Sequence, residues 1–568
     1  MKRLLKYILK FKFLFICICL FSLISALCTI IAPVFVGNII DEIVSNTDRL
    51  FINLIILLSI YLILFISNLL LNLCLTKLTT KTSHSIRVDL FNKLNKLTIA
   101  YTDKEKYGDI VNRFTVDVDN LSNGIISSLS KITIGIVTTI VSIIIMLKIN
   151  YVMAIILILV APIMYIISNY IKKNTKKLFV HRAYKLSELN GYTEEIISGQ
   201  KTFKDFAYED TAINNFKNIN HDLYYIGLKS QFYSSLTNPS TRFISNLAYV
   251  FVGILGILFA KAERITVGNI STFLMYTSIF TRPFNEITAA IAEIQTSLAS
   301  SSRIFEFLDA EDEVDSKKDL PVKNLNGYIE FKNVEFSYSK DTTFIKNFNL
   351  TVNKGETIAI VGKTGSGKTT IINLLMRFYE INSGKILIDG IDLQNIPKDF
   401  LRKNIGIVLQ DTKLFTGTIR ENIAYGKENA TDEEIKKAAI LANADSFIKR
   451  LPDGYNTYIS SDEMLSAGEV QLINIARVML LNPPILILDE ATSNIDLITE
   501  NKIQKAFETL INNSTSFIIA HRLWSIKNAD RILYIENGNI VEQGTHDELI
   551  NKKGKYFDLY NSQFVTNI

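Results

Sequence analysis

Eight residues decide how the second half of this chain folds: Gly362-Lys363-Thr364-Gly365-Ser366-Gly367-Lys368-Thr369. They match the phosphate-binding loop pattern G-x-x-x-x-G-K-[ST]. An apolar run typical of a β-strand, residues 357–361, precedes them, and a helix-type run, residues 370–376, follows. In that context, backbone N–H groups and the positive end of the helix dipole bind phosphate oxygens. The sequence therefore predicts a nucleotide site in which Lys368 contacts the β- and γ-phosphates and Thr369 ligates Mg²⁺.

A second pattern downstream supplies the acids that such a site needs. It reads Ile485-Leu486-Ile487-Leu488-Asp489-Glu490, an apolar run followed by two carboxylates. A buried strand ending in an acid places a carboxylate near Mg²⁺, which is the role predicted for Asp489. Glu490 is predicted to be the general base that polarises the attacking water. Taken alone, the pair is also consistent with an ordinary strand end.

Composition narrows the class of protein. Apolar residues make up 48% of the 568 residues, and they crowd into long runs before about residue 290. The formal net charge of +5 is small for this length and argues against nucleic acid as a partner. All four cysteines lie in the first apolar runs, so their spacing indicates packing inside a membrane and no metal site.

Six apolar runs are long enough to cross a bilayer as helices, at 13–40, 52–76, 126–147, 151–171, 243–260 and 267–290. Basic residues crowd before the first run and after the second and fourth. Because positive flanks mark the cytoplasmic side, both termini are expected there. Residues 1–12 form a basic amphipathic stretch expected along the inner interface. Arg282 and Glu286, in the last run, are four residues apart and are predicted to pair. This segment is predicted to line the translocation path, and the alternative is that it lies at the inner interface with its charges reaching the water.

These patterns together predict the domain organisation and fold class. Residues 1–310 are expected to form a membrane α-helical bundle of six transmembrane helices, with two long cytoplasmic loops. Residues 311–326 carry many charges and are expected to be a solvated linker. Residues 327–568, with alternating strand-like and helix-like runs, are expected to form a cytoplasmic α/β phosphate-loop domain.

Further motifs, in order along the chain, resemble those of the ATP-binding cassette (ABC) family. They are Tyr338, Gln410 in Val408-Leu409-Gln410-Asp411, Leu465-Ser466-Ala467-Gly468-Glu469, Asp496 in Ser493-Asn494-Ile495-Asp496, and His521. The resemblance implies that Tyr338 stacks on adenine, that Gln410 contacts Mg²⁺ and that His521 contacts the γ-phosphate. It also assigns Asp496, Thr370 and the whole phosphate loop to ATP binding. The segment from Leu465 matches the family signature, usually L-S-G-G-Q, in which Ser466 and Gly468 contact nucleotide.

The exporter branch of that family places its membrane domain first and its cassette second, as here. The resemblance implies MgATP hydrolysis between two cassettes, driving export of a hydrophobic or amphipathic cargo across a bacterial plasma membrane. Residues 107–115 with 117–119, and 199–206 with 208–209, resemble the short helices that dock into the cassettes. An ATP-gated channel or a regulatory ABC protein is the alternative on the same scaffold.

The signature departs from the family pattern because Glu469 replaces the usual Gln. A carboxylate ~6 Å from a γ-phosphate would repel it by about 3 kcal/mol at an effective dielectric of ~20. The alternative is that Glu469 points away and suits the start of a helix. An altered signature beside an intact Glu490 resembles one half of a heterodimeric exporter. A different second half-transporter is therefore the favoured partner, ahead of a second copy of this chain.

Overall fold

The computed structural model describes residues 2–45, 49–313, 315, 324–338, 343–409, 413–460, 464–489, 497–512, 514–519, 526–527 and 529–562. The chain divides into two compact units. The first comprises residues 1–95 and 106–310, and the second comprises residues 96–105 and 311–568. The short stretch 96–105 thus belongs with the cassette half, although it lies inside the predicted membrane half.

The first unit is helical. Its helices are α1 (Lys2–Leu9), α2 (Lys12–Ser45), α3 (Leu50–Leu94), α5 (Tyr107–Asn112), α6 (Val118–Ile149), α7 (Tyr151–Ser198), α8 (Gln200–Asp205), α9 (Glu209–Ser235), α10 (Thr237–Lys261) and α11 (Val267–Asp309). The helix α4 (Ile99–Lys104) falls in the second unit. A π-helical turn, Arg113–Asp117, joins α5 to α6.

Among the described residues, five helical stretches are long and apolar enough to span a membrane, namely Lys12–Ser45, Leu50–Leu94, Tyr107–Ile149, Tyr151–Ser198 and Glu209–Lys261. The sixth predicted span, 267–290, lies in α11, which is continuous but too polar to join that set. Threonine, serine and charged residues interrupt its apolar positions. The helical membrane fold is confirmed, whereas the sixth run is a weaker candidate than its length suggested.

Polar side chains of α11 bind its neighbours, which explains why this helix is less apolar. The hydroxyl of Tyr276, which is fully buried, donates to the carbonyl of Ile30 in α2 at 2.6 Å. Ser297 donates to the carbonyl of Asn120 in α6 at 2.7 Å. Inside a bilayer the Tyr276 hydroxyl has no water to bind, so its hydrogen bond holds α11 and α2 in register.

The predicted pair in α11 is confirmed. Arg282 Nε donates to Glu286 Oε1 at 2.8 Å, and the Arg282 side chain is 81% exposed in the isolated chain. Pro283 lies inside the helix between them. The side chain of Asn285, which lies between them in the sequence, is outside the described part of the chain.

The second unit carries all the named strands. They are β1 (Ile329–Phe336), β2 (Ile345–Val352), β3 (Thr357–Val361), β4 (Ser383–Ile388), β5 (Ile391–Asp392), β6 (Ile405–Val408), β7 (Gly417–Thr418), β8 (Tyr458–Ile459), β9 (Ile485–Asp489), β10 (Thr515–Ile519), β11 (Arg531–Glu536) and β12 (Asn539–Gly544). The α-helices of this half are α12 (Lys368–Leu375), α13 (Lys398–Lys403), α14 (Ile419–Ala424), α15 (Asp432–Leu441), α16 (Asp445–Ile448), α17 (Ala467–Leu481), α18 (Leu497–Ile511), α19 (His546–Lys552) and α20 (Lys555–Tyr560).

A six-stranded sheet in the order β12-β11-β3-β10-β9-β6 forms the centre of this unit. Strands β11, β3, β10, β9 and β6 run parallel, and β12 is antiparallel at the edge. All five residues of β3 are buried, as are the first four of β9. Continuous apolar runs suit strands covered on both faces. The carboxyl ends of β3 and β9 therefore share one sheet edge, where nucleotides bind in such folds.

The prediction of a solvated linker over residues 311–326 is partly wrong. Glu313 accepts hydrogen bonds from Arg402 at 2.6 Å and from Lys398 at 3.2 Å, and Asp315 accepts one from the backbone N–H of Lys398. Burial raises the pKa of Glu313, but these two cations outweigh it and hold the pKa below its usual value. The prediction of a solvated segment was based on these acids, but their hydrogen bonds attach the segment to α13. Residues 316–323 lie outside the described part of the chain.

Candidate nucleotide site

The phosphate loop follows β3 and is held by close backbone contact with β11. Gly362 has a φ of +153°, and a Cβ there would lie 2.3 Å from the carbonyl oxygen of Ile535. The N–H of Gly538, in the turn after β11, donates to the carbonyl of Ser366 at 2.8 Å. Only glycine fits such a close approach at positive φ without strain. The first glycine of the motif is thus required by packing as well as by phosphate geometry.

The rest of the loop stays accessible to a ligand. Lys363, Thr364 and Gly365 are exposed, and a Cβ at Gly365 would meet nothing within 4 Å. Helix α12 begins directly after Gly367, which has a φ of +110°. Its first N–H groups have no partner within the helix, so they can bind an anion.

Lys368 is buried at the first position of α12, yet its ammonium group faces the loop. Its Nζ donates to the carbonyls of Gly362 at 2.8 Å and Lys363 at 3.1 Å. Burial lowers the pKa of Lys368, and the nearby carboxylate of Asp489 partly offsets this effect. A phosphate reaching the loop would supply the negative charge that this buried cation lacks.

The residues predicted to hold Mg²⁺ fit that ion by chemistry and position. Thr369 is exposed in the first turn of α12, and Asp489 ends β9 at the same sheet edge. A hydroxyl and a carboxylate are hard oxygen ligands, and Mg²⁺ usually takes one or two of these together with phosphate oxygens and water. Gln410, the third predicted ligand, lies outside the described residues.

Tyr338, the residue predicted to stack on adenine, forms an aromatic group with Phe336 and Tyr379. Tyr338 is 45% exposed, and its ring centroid lies 4.8 Å from that of Phe336 and 5.2 Å from that of Tyr379, both edge-on. Its hydroxyl is hydrogen-bonded to Thr370 Oγ1 at 2.9 Å. These contacts fix one edge of the ring, while its exposed face remains available to a base.

The segment 96–105 contacts this aromatic group, and sequence analysis did not predict that contact. Tyr379 donates from its hydroxyl to Asp103 Oδ2, in α4, at 2.6 Å. Burial raises the pKa of Tyr379, and the carboxylate of Asp103 raises it further. The stretch that clusters with the cassette half, 96–105, directly precedes the predicted docking stretch 107–115, whose docking stays a prediction. Asp103 and Tyr379 are 276 residues apart, so no local pattern could reveal the pairing.

The signature segment begins α17, and Glu469 has a defined role there. Ser466 is the N-cap and accepts a hydrogen bond from the N–H of Glu469. The Glu469 carboxylate accepts from the Ser466 N–H at 3.0 Å and from its hydroxyl at 2.9 Å. This is a reciprocal capping box, which either Glu or Gln can form. Glu469 therefore replaces Gln without loss of the cap, but it adds a charge and engages the hydroxyl predicted to face nucleotide.

Several predicted site residues lie outside the described part of the chain. They are Gln410, Glu490, Asp496 and His521. Their roles remain predictions. Trp524, for which the sequence indicates no role, lies outside it too.

Together, the helical membrane unit and the phosphate-loop unit define a membrane-bound ATPase. A model of the ABC transporter transmembrane region matches residues 15–284, and a model of the ABC transporter family matches residues 345–493. This chain belongs to the ABC transporter family, in its exporter branch, as a half-transporter that couples ATP hydrolysis to transport. The half-transporter architecture implies dimerisation within a lipid bilayer.

The chain is similar over nearly its whole length to bacterial proteins. It is 40% identical over 570 residues to the uncharacterised ABC transporter ATP-binding protein YfiC of Bacillus subtilis, covering 99% of this chain and 94% of that protein. It is 40% identical over 481 residues to a fatty acid ABC transporter ATP-binding/permease protein of Mycobacterium bovis, covering 84% and 76%. A Staphylococcus aureus protein named provisionally for multidrug export is 34% identical over 577 residues, covering 99% of each.

Replacing Lys368 with alanine tests the loop assignment. We expect Lys368→Ala to weaken MgATP binding by about tenfold or more, because a charge-assisted contact to phosphate contributes roughly 1.5–3 kcal/mol. Isothermal titration of the purified full chain measures this change. Lys354→Ala, which removes an exposed lysine before β3, is the matched control and should bind normally. Equal affinity in the two variants would contradict the assignment.

Proposed function

We propose that this chain is one half of an exporter that moves a hydrophobic or amphipathic cargo out across the bacterial plasma membrane. MgATP is hydrolysed between its cassette and that of a second half-transporter. Closure of the two cassettes turns the membrane cavity outward, and their separation returns it by alternating access. Both termini and the cassette are cytoplasmic. The observation that carries this proposal is the phosphate loop at the shared edge of β3 and β9, in a chain with apolar membrane helices.

A few side chains each have one role in the proposed hydrolysis of ATP. Lys368 and the loop N–H groups hold the β- and γ-phosphates in line for attack. Mg²⁺, bound by Thr369, Asp489 and Gln410, supplies neutralising charge on the phosphate oxygens. Glu490 accepts the proton of the attacking water, and His521 contacts the γ-phosphate. Tyr338 stacks on adenine, and Asp496 completes the pocket after the second acid.

The site on one chain is half of a complete site. We propose that Ser466 and Gly468 at the start of α17 contact the nucleotide held by the partner's loop, because a helix N-terminus favours an anion. In this chain, Glu469 places a carboxylate on that same helix end. A carboxylate near the partner's γ-phosphate weakens that site while leaving this chain's own Glu490 site intact. This asymmetry supports a heterodimer, in which the partner supplies a regular signature opposite Glu490.

The class of cargo that we propose is based on the membrane unit and on the relatives. The exposed Arg282–Glu286 pair gives α11 a polar patch beside its apolar residues. A charged group at membrane depth normally faces a cavity or a partner. One relative is named a fatty acid transporter, and a fatty acid is an amphipath. An amphipathic cargo with an apolar chain is therefore the class we propose, with α11 lining its path.

The exposed helix α8 is proposed as a contact for the second half-transporter. Phe206, directly after α8, is 79% exposed, and Tyr208 is 47% exposed. Exposed aromatic side chains at the end of a helical hairpin suit a buried anchor in a partner's groove. The stretch 96–105 contacts this chain's own cassette, so α8 is left to contact the other one.

The role of Glu490 is tested by Glu490→Gln. The amide keeps the shape and hydrogen bonding of the side chain but cannot accept the proton, so we expect ATP turnover to fall by ~10²–10⁴ while ATP remains bound. Phosphate release from membrane vesicles that contain the transporter measures turnover, and retained radiolabelled ATP measures binding. Glu433→Gln, at an exposed acid of α15, should be silent. Full turnover in Glu490→Gln would remove it from the mechanism.

The charge of Glu469 is tested by Glu469→Gln in the full chain assembled with its native second half. Glutamine keeps the capping box and removes the carboxylate. We expect MgATP to bind the partner's site, which faces residue 469, more tightly, by up to about a hundredfold if the carboxylate lies ~6 Å from a γ-phosphate. Glu548→Gln is a matched control, because Glu548 forms the same capping box with Thr545 at α19. Identical behaviour of the two variants would remove the physical basis for a degenerate site and a heterodimer.

The contact between α4 and the aromatic group is tested by Tyr379→Phe. The ring still packs against Tyr338, but the hydrogen bond to Asp103 is lost. We expect MgATP to change amide hydrogen exchange across residues 96–105 in the unmodified chain and not in this variant, while ATP affinity changes by no more than about twofold. Tyr328→Phe, which removes a hydroxyl bonded to Glu330, is the control. An unaltered response in Tyr379→Phe would show that Asp103 takes no part in coupling.

A further inference from the structure

The N-terminal helix α1 is amphipathic, and its two faces have different surroundings. Leu4 and Ile8, one turn apart, are 4% and 2% exposed. Arg3, Lys6 and Lys10 are exposed on the other side. The apolar face thus attaches α1 to the helical unit and presents a row of cations outward.

A cleft of about 930 Å³ lies beside that row. Its walls come from α1, the start of α2, α3 and the end of α11, all within the first unit. The lining residues used below are Lys6, Lys12, Leu9, Phe305 and Leu308. The function proposed above assigns nothing to this cleft.

The acids of the cleft are already engaged, which leaves it with excess positive charge. Asp309 pairs with Arg3 at 2.5 Å, and Asp89 accepts from the Tyr7 hydroxyl at 2.7 Å. Within the described part of the chain, no carboxylate lies at ion-pair distance from Lys6 or Lys12. A dianionic or monoanionic oxygen ligand is the complement that two uncompensated ammonium groups require.

The other walls are apolar. Leu9 remains 42% exposed, and Phe13, next to the cleft in sequence, is 78% exposed. Phe305 and Leu308 continue this apolar wall on α11. An adjoining cleft of about 520 Å³ contains Glu306, which disfavours an anion on that side. The charge and the apolar surface therefore favour one ligand with an anionic head at Lys6 and Lys12 and a hydrocarbon chain against Leu9 and Leu308.

We propose that this cleft binds one anionic phospholipid, with its phosphate on Lys6 and Lys12 and part of an acyl chain along Leu9 and Leu308. A free phosphate would use the lysines and leave the apolar wall in water, whereas a phospholipid satisfies both. The lipid then joins α1 to the end of α11, the helix that precedes the cassette half in the sequence. Lipid composition would act on the transporter through this contact.

The test is native mass spectrometry of the full chain, released from vesicles of phosphatidylglycerol mixed with phosphatidylcholine. We expect one phosphatidylglycerol molecule to survive washing. The double variant Lys6→Gln/Lys12→Gln should retain it about thirtyfold less well, the loss expected for two lysines near an anionic lipid. Lys148→Gln/Lys261→Gln, which removes two exposed lysines outside the cleft, is the matched control and should retain it fully.

Two further arms distinguish the lipid from other anions. Leu9→Gln leaves every charge in place, and we expect it to reduce phosphatidylglycerol retention as well. Excess inorganic phosphate should not displace the lipid. Displacement by phosphate with no effect of Leu9→Gln would identify a free-anion site and overturn the lipid proposal. Equal retention of phosphatidylglycerol by the double variant and its control would overturn the site itself. Neither result depends on ATP hydrolysis, so the exporter assignment is unaffected.

Discussion

The nucleotide site depends on one close backbone approach, between Gly362 and the carbonyl oxygen of Ile535. That approach needs β11 directly beside β3, and it needs a tight turn after β11 whose Gly538 N–H reaches the loop. The turn is built on Asn537 and Gly538, both at positive φ, which is the pairing that two-residue hairpins favour. These contacts, made within the chain itself, hold the loop in its shape.

Residues at the same sheet edge are also linked, through hydrogen bonds and ring packing, to helix α4. Asp489 reaches it from β9, and the aromatic group of Tyr338 and Tyr379 lies beside α12 through the Thr370 hydrogen bond. Asp103 then joins α4 to Tyr379. A short stretch between two long membrane helices is thus hydrogen-bonded to Tyr379, whose ring packs against Tyr338, the residue proposed to stack on adenine. We propose that α4 responds to bound nucleotide through this contact, since a ligand shifts a conformational equilibrium only through interactions that differ between the two states.

The features predicted correctly from sequence are local ones. The phosphate loop, the buried strand ending at Asp489 and the Arg282–Glu286 pair each depend on residues close in the chain, and periodicity or spacing reveals them. The capping box of Ser466 and Glu469 was also readable as S-x-x-E, yet comparison with the family pattern drew attention to the charge instead. The contacts that sequence analysis missed are long-range. Glu313 was expected to be solvated because an acid in a charged run carries no sign of its distant partner Arg402, and the pairing of Asp103 with Tyr379 was hidden for the same reason.

We propose that this chain alone holds only half of each ATP site, with its loop and its signature facing those of another cassette. The most direct measurement is the ATPase rate of the full chain in lipid nanodiscs sorted by the number of half-transporters in each disc. Discs with a single copy should bind MgATP and hydrolyse almost none, whereas discs that pair this chain with its native second half should hydrolyse it. Full hydrolysis by single-copy discs, at the rate per chain of the paired discs, would contradict the account.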